Sequence, residues 1–343
     1  MARRRRPRGG RARPRGAHAR LLGRRRAPGT GTAPARANGP GTVTRLPLAL
    51  VRSQAQIFFQ PAWPTGVLLL AAFAVASPLL AGFALLGAAV QSAAAWFIPA
   101  LDRADVVEGK HGFCGALTAV AAGTALGPTA AALVWALAGS VACAGVVLLM
   151  DRGRTAERGL PAMTAPFCAV SSVALLATAS MQSPPPAFAY HPTGTLLDPV
   201  VAVLLSVAQV VLLDNVWSGA LILAGLFAAG WAVGLWALVG AAVASTVAWA
   251  VGADADGVLN GLDGYSGVLV ALSLGLVFVR SRYRVPITLA GVALTVPVRF
   301  LLAGAGVPVY TWPFVLVTWA ALVLIHLARS RTKGGSGAPP RHA

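Results

Sequence analysis

The chain has 343 residues, of which 57% are hydrophobic and only 11% are charged, with a mean hydropathy of +0.71 and a formal net charge of +18. Too few polar residues are present to cover the surface of a soluble protein of this size. The composition therefore excludes a soluble globular protein and is typical of a polytopic membrane protein.

The excess charge is concentrated at the N-terminus. Residues 1–45 hold 14 of the 28 basic residues and no acidic residue, in a sequence rich in Arg, Pro, Gly and Ala. We therefore predict that residues 1–46 are a disordered cytoplasmic tail, which keeps the N-terminus inside by its positive charge. The alternatives are a nucleic-acid-binding arm and an extension upstream of the true start codon. No short apolar core with a small-residue cleavage site follows, so we expect no signal peptide.

A first transmembrane repeat is predicted at residues 47–182. It opens with an amphiphilic segment that contains Gln56 and is broken by Pro61 and Pro64. Apolar runs long enough to cross about 30 Å of hydrocarbon follow, at about residues 66–77, 79–98, up to 126, 130–150 and up to 181. A proline-rich linker, residues 183–198, closes this half.

A second transmembrane repeat is predicted at residues 199–328 and follows the same plan. Its apolar runs lie at about residues 219–230, 231–251, up to 279, 286–303 and up to 326. Residues 329–343 form a short C-terminal tail, which we place in the cytoplasm. Each half therefore offers about five spans.

The two halves are also related by sequence motifs. GKHGFCGAL, from Gly109 to Leu117, recurs as GLDGYSGVL from Gly261 to Leu269. Two further pairs keep a similar offset: Ala-Gln-Ile ending at Ile57 with Ala-Gln-Val ending at Val210, and LPAMTAPF ending at Phe167 with VPVYTWPF ending at Phe314. The chain is therefore a duplication of two membrane halves.

The charges of the loops predict how the halves are oriented. An odd number of spans in each half requires that the halves be inverted, and Lys/Arg should then change sides between equivalent loops. The bases at residues 151–158, 280–284 and beyond Arg329 fall on the side of the basic tail, whereas residues 183–198 and 252–258 carry none and fall outside. The predicted fold is an all-α polytopic membrane protein of two inverted repeats, with both termini cytoplasmic and an extracellular linker.

The polar residues that the duplication repeats are neutral: Gln56 with Gln209, and Thr164 with Thr311. Neutral acceptors at paired positions favour an uncharged hydrogen-bonding solute over an ion. The alternatives are an interhelical hydrogen bond for each glutamine and a bond from each threonine to its own helix.

Other polar residues in the apolar halves have simpler interpretations. Asp263 and its counterpart His111 are expected near the mouths of the pathway, and Arg299 is expected to extend to the membrane interface. Asp214 and Asn215 can cap the helix that follows Gln209, whereas Pro61 and Ala62 cannot do so after Gln56, so we expect Gln209 to be held more firmly. The spacing of the three cysteines, Cys114, Cys143 and Cys168, indicates neither a disulfide framework nor a zinc site.

At residues 50–328 the chain resembles the urea transporter family. The family pattern is A-Q-V, D-N-P-W-S-G, G-L-x-G-Y-N-G-V-L-V and L-P-x-x-T-x-P-F, once in each half, and the second half of this chain matches it closely. The first half departs from it, because residues 61–66 read PAWPTG, and Lys110 and Cys114 replace a leucine and an asparagine of the glycine motif.

The resemblance implies a homotrimeric channel in the cell (inner) membrane, with five spans and a tilted re-entrant helix in each half and a pore in each protomer. It implies passive conduction of urea or a related small neutral amide, with no nucleic-acid partner and no cofactor. When the filter residues of the family are transferred to the matching positions of this chain, the resemblance implies an oxygen ladder of Gln56, Thr164, Gln209 and Thr311. The walls of its slot would be Ile57, Phe59, Phe113, Leu117, Val210, Leu212, Tyr265 and Leu269.

Neither HExxH nor GxSxG occurs and no paired acids lie in the apolar core, so we predict no catalytic or metal site and expect that the protein is not an enzyme. Two alternatives of other classes stay open. One is an ion-coupled transporter of a small polar solute, in which Asp263, His111 or Lys110 would titrate. The other is a membrane-embedded enzyme or a non-conducting membrane subunit.

Overall fold

A computed structural model describes residues 46–153, 155, 158–182 and 190–334. The predicted N-terminal tail lies outside the described residues apart from Leu46, and so do residues 183–189 of the linker and residues 335–343 of the C-terminal tail. The described part of the chain is helical and contains no strand.

Within these residues, each half contributes seven α-helices. In the first half they are α1 (Leu46–Gln56), α2 (Trp63–Ala76), α3 (Pro78–Phe97), α4 (Arg103–Val107), α5 (Phe113–Leu126), α6 (Ala130–Arg152) and α7 (Ala165–Ala177). In the second half they are α8 (Asp198–Gln209), α9 (Val216–Ala229), α10 (Trp231–Ala250), α11 (Ala255–Leu259), α12 (Tyr265–Leu272), α13 (Arg284–Gly304) and α14 (Trp312–Gly334). A π-helical segment, Ser273–Phe278, extends α12.

The order and lengths of the helices repeat between the halves. The pairs α2/α9, α3/α10 and α4/α11 have equal lengths of 14, 20 and 5 residues. The pair α6/α13 has 23 and 21 residues. The duplication that the motifs predict is therefore present in the order of the helices.

Local sequence explains where several of these helices begin. Pro64 and Pro78 lie in the first turns of α2 and α3. Proline lacks a backbone N–H, but N–H groups in a first turn have no acceptor within the helix, so no hydrogen bond is lost. Asn215 caps α9, because its Oδ1 accepts a hydrogen bond from the Ser218 N–H at 2.9 Å. Ala62, at the same place before α2, has no side chain that can do this. The predicted difference in capping between the halves is confirmed.

The two halves meet through reciprocal contacts between α2 and α9. The Thr65 hydroxyl donates to the Gly225 carbonyl at 2.8 Å, and the equivalent Ser218 hydroxyl donates to the Ala72 carbonyl at 2.7 Å. Each bond joins the first turn of one helix to the C-terminal half of the other, so the two helices are antiparallel. Contacts exchanged in this way between equivalent residues are those that a two-fold axis produces.

Among the described residues, four helices are long and apolar enough to cross a membrane, and they form the equivalent pairs α3/α10 and α6/α13. The shorter apolar helices have 10–17 residues. A helix of 14 residues is only about 21 Å long, less than the hydrocarbon core of about 30 Å. The apolar runs of the sequence predict about five spans in each half. Within the described residues, two helices in each half are long and apolar enough to cross a membrane.

Glycine allows the first helices of each half to approach their neighbours closely. A Cβ atom at Gly66 would lie 2.0 Å from the Val51 carbonyl oxygen, and one at Gly219 would lie 2.1 Å from the Leu204 carbonyl oxygen. Both contacts are with backbone, which cannot move aside as a flexible side chain can. Small residues that bring helix backbones together are characteristic of packing within membranes.

We expect Gly66→Ala to lower the thermal stability of the purified protein, because α1 and α2 must separate to admit the methyl group. Overpacking of this kind costs about 1–3 kcal/mol. Gly82→Ala is the matched control, since a Cβ there would meet no atom within 4 Å. Equal melting temperatures of the two variants in detergent would contradict the close contact.

Candidate functional site

Thr164 and Thr311, which hold equivalent positions in the two halves, contact each other directly. Their hydroxyl oxygens lie 2.7 Å apart, and each residue is only 2% exposed. Equivalent residues of the two halves are therefore in direct contact where the halves meet. Within the described residues, neither hydroxyl forms a hydrogen bond to its own helix, so that alternative does not hold for these threonines.

The backbone before each threonine adopts an uncommon conformation. Met163 and Tyr310 have φ values of +47° and +35°. Bulky residues rarely occupy this region, which costs about 1–3 kcal/mol and is concentrated at functional sites. The following prolines, Pro166 and Pro313, lie in the first turns of α7 and α14 and do not interrupt a helix, because a first turn needs no N–H from them.

A thiol makes the threonine pair asymmetric. Cys168 Sγ lies 3.1 Å from the Thr311 hydroxyl oxygen, and the corresponding position of the second half is Val315. Cys168 and Val315 are both fully buried. The thiol also interacts with the Thr164 side chain, so it adds to the pair a polar group that has no counterpart in the second half. The spacing of the cysteines gave no indication of this contact.

Aromatic rings from both halves surround the threonine pair. Phe59 packs edge-on against Phe314, which follows Thr311 in the first turn of α14, with ring centroids 5.9 Å apart. Phe167, in the first turn of α7, packs against Tyr310 with centroids 5.1 Å apart. Each threonine segment therefore has an aromatic ring of the other half beside it.

Two further predicted wall residues lie at this site. The Tyr265 hydroxyl donates a hydrogen bond to the Tyr310 carbonyl, directly before Thr311. Phe59 and its equivalent Leu212 both have a φ of +61°, so the chain turns in the same way after each glutamine helix. The structure thus brings Phe59 and Tyr265 to the threonine segments.

The two glutamines lie at the C-terminal ends of α1 and α8 and differ in how they are held. Gln56 Nε2 donates to the Glu108 carbonyl at 3.1 Å, and Gln56 is only 7% exposed. Gln209 is half-buried, and its side chain forms no hydrogen bond within the described residues. The expectation that Gln209 is the more firmly held glutamine is therefore wrong for the side chain itself. Helix capping fixes α9, but the carbonyl of a distant loop fixes Gln56.

The remaining predicted wall residues belong to one apolar core. Ile57, Leu117, Val210 and Leu269 are almost completely buried, and Phe113 and Leu212 are partly buried and pack against the same core. Within the described residues, neither glutamine is hydrogen-bonded to the threonine pair. The structure therefore joins the two threonines directly, packs aromatic rings against residues that flank them, and places the glutamines in equivalent positions at the ends of their helices.

An ion pair that the sequence analysis did not anticipate lies in the second half. Arg299 Nη1 is 2.7 Å from Asp263 Oδ1, and the two side chains are 20% and 2% exposed. Arg299 therefore has a buried carboxylate as its partner, which the sequence did not predict. Two single charges far apart in sequence carry no signal of their pairing.

The first half has different ionisable groups at the equivalent loop. His111, which corresponds to Asp263, is buried, and burial lowers its pKa, with Asp105 and Asp151 nearby opposing this effect. Lys110 contacts the carboxylates of Asp105 at 2.7 Å and Glu108 at 2.9 Å. These groups therefore either have partners or are kept neutral by burial.

Comparison with known proteins identifies the family of the chain. The family model described as "Urea transporter" matches residues 48–326, well over half of the chain. A search of curated proteins found no significant match. The family match includes both glutamines, both threonines and all the aromatic residues that surround them. The family is one of transporters, and the apolar helices are those of an integral membrane protein. The chain therefore belongs to the urea transporter family.

Proposed function

We propose that this protein is a passive channel for urea, and for related short amides, with a narrow path between two inverted halves. The observation that carries the proposal is the pair of neutral hydroxyls, Thr164 and Thr311, held 2.7 Å apart where the halves meet. Beside this pair, the ring of Phe59 packs edge-on against the ring of Phe314. Such a site offers hydrogen bonds to a flat neutral solute and no countercharge to an ion.

The chemistry of urea suits such a path. Urea has four N–H donors and one carbonyl acceptor in one plane. Glutamine and threonine oxygens can replace the water around its N–H groups, while apolar walls leave a hydrated ion without solvation. Fast passage requires weak binding, and occupancy at about millimolar concentration corresponds to roughly 4 kcal/mol.

The proposed path uses the residues that the family resemblance indicates. Its oxygen ladder consists of Gln56, Thr164, Gln209 and Thr311. Its walls consist of Ile57, Phe59, Phe113, Leu117, Val210, Leu212, Tyr265 and Leu269. The burial of these residues in one core and the contacts of Phe59 and Tyr265 with the threonine segments support this assignment.

Inversion of the halves is supported by the packing of α2 against α9. These equivalent helices are antiparallel, as the bonds from Thr65 and Ser218 require. A two-fold axis along the membrane normal would leave equivalent helices parallel, so the axis that fits lies in the membrane plane. The change of basic residues between equivalent loops is independent support. The proposed assembly is a homotrimer in the cell membrane with both termini cytoplasmic, five spans and a re-entrant helix per half.

The ionisable groups of Asp263, Lys110 and His111 favour passive conduction over ion coupling, because each is either paired with an opposite charge or kept neutral by burial. Asp263 is paired with Arg299, and Lys110 is paired with two carboxylates. Burial lowers the pKa of His111, so this side chain is neutral near pH 7. None of the three is an isolated charge poised to follow an ion through the membrane.

The test is solute flux in proteoliposomes containing the purified protein. We expect urea flux to saturate only at high concentration and to be unchanged by a protonophore or by removal of sodium, because the ladder is neutral. Urea, thiourea, acetamide and water are compared against liposomes without protein. Flux that collapses with the proton gradient would indicate a coupled transporter, and no flux of any solute would indicate a non-conducting subunit.

A further inference from the structure

The loop between α4 and α5, residues 108–112, carries an ionic contact at Lys110, a position that is uncharged in the second half. Lys110 Nζ lies 2.7 Å from Asp105 Oδ1 and 2.9 Å from Glu108 Oε2. The equivalent of Lys110 in the second half is Leu262, which has no charge to pair. Partial burial alone would lower the pKa of Lys110, but the two carboxylates outweigh it and the pKa is raised, so the lysine is charged at neutral pH.

The same loop touches the end of α1. The Glu108 carbonyl accepts the hydrogen bond from Gln56 Nε2 at 3.1 Å. A carbonyl can only accept, so the nitrogen of the amide faces the loop and Oε1 is the end that remains. Gln56 Oε1 accepts no hydrogen bond within the described residues. The loop thus determines which end of the amide is available to another molecule.

The second half fixes its corresponding loop by other means. Asn260, the equivalent of Glu108, exchanges two hydrogen bonds with the backbone of Tyr190, at 3.0 and 2.9 Å. Its amide also donates to the Asp256 carbonyl at 2.9 Å. Gln209 is not bonded to this loop within the described part of the chain, so its amide lacks the anchor that Gln56 has. The ion pairs of Lys110 and the anchored glutamine occur together in the first half, whereas the loop of the second half is bound through Asn260 and the Asp263–Arg299 ion pair.

From this we infer that Lys110 is a positioning residue for Gln56: its ion pairs hold the loop so that the Glu108 carbonyl binds Gln56 Nε2 and leaves Oε1 free to accept a solute N–H. This inference rests on the proposed function. Lys110 itself does not touch the solute. It acts through the loop and the orientation of one amide.

The loop should remain folded without the lysine side chain, but it should then fluctuate more, because the ion pairs to Asp105 and Glu108 no longer limit its motion. Its backbone is held by hydrogen bonds from the Glu108 N–H to the Ala104 carbonyl, at 3.0 Å, and from the Lys110 N–H to the Asp105 carbonyl, at 2.9 Å. Leucine is the residue of the second half at this position. Lys110→Leu is therefore a variant that folds and removes only the ionic contact.

The decisive experiment is a mutant cycle in urea permeability, because two residues that act through one another are not additive. Both ion pairs are partly exposed, so we expect Lys110→Leu to lower permeability only about 3- to 10-fold, and Lys110→Arg to restore it. In a Gln56→Ala background Lys110→Leu should have no further effect, whereas in a Gln209→Ala background its full effect should remain. Additive losses with Gln56→Ala would overturn the inference.

A second measurement separates this inference from the proposed function. If the wild type passes no urea, the proposed function fails, and the hydrogen exchange of the Gln56 side-chain amide, followed by NMR, then decides the inference. We expect this exchange to be faster in Lys110→Leu than in the wild type, and unchanged for the Gln209 amide. Equal exchange at Gln56 in the two proteins would overturn the inference whatever the flux.

Discussion

Replacing Thr311 by valine should lower urea permeability about 5- to 150-fold, which corresponds to the roughly 1–3 kcal/mol lost when buried polar groups are left without a partner. Valine keeps the shape of threonine and removes only the hydroxyl. Thr311 contacts both the Thr164 hydroxyl and the Cys168 thiol, at 2.7 and 3.1 Å, so its loss affects two groups as well as the solute.

Thr164→Val should have a smaller effect, because the Cys168 thiol interacts with both threonines but more strongly with Thr311, which keeps it as a partner at 3.1 Å. The control is Thr246→Val, since the Thr246 hydroxyl is exposed and bonds to the Ala242 carbonyl of its own helix at 2.7 Å. Stopped-flow permeability, normalised to the protein inserted, is the measurement. Equal losses in Thr164→Val and Thr311→Val would mean that the thiol makes no difference to the pair.

The helices could be predicted from the sequence because apolar runs and proline positions are local signals. The run at residues 79–98 corresponds to α3, Pro78–Phe97, and the run at 231–251 corresponds to α10, Trp231–Ala250. The shorter helices were predicted as spans because hydropathy does not distinguish a helix that crosses the membrane from one of about 14 residues that ends within it.

The threonine pair was predicted as a duplicated feature, but its direct contact was not. Sequence indicates that two residues are equivalent, whereas only the packing of the halves brings them into contact. The positive φ values of Met163 and Tyr310 could not be predicted from the sequence either, because glycine is the residue that indicates such a conformation and neither residue is a glycine. The anchoring of Gln56 depends on a backbone carbonyl 52 residues away, and a carbonyl has no residue type that a motif could reveal.

The ion pair between Arg299 and Asp263 provides the prediction with the largest effect on stability. Arg299→Met should destabilise the protein by about 3–5 kcal/mol, because it leaves the almost fully buried Asp263 carboxylate without its countercharge. Asp263→Asn should cost less, because Arg299 is 20% exposed and its long side chain can extend to the interface.

The double variant Arg299→Met/Asp263→Asn should recover most of the stability lost in Arg299→Met, since it buries no unpaired charge. The first half is a natural precedent for a glycine motif without this carboxylate, because His111 stands where the second half has Asp263. Thermal unfolding of the three variants in detergent measures the coupling between the two residues. A double variant no more stable than Arg299→Met would show that the arginine stabilises α13 through its packing and not through its charge.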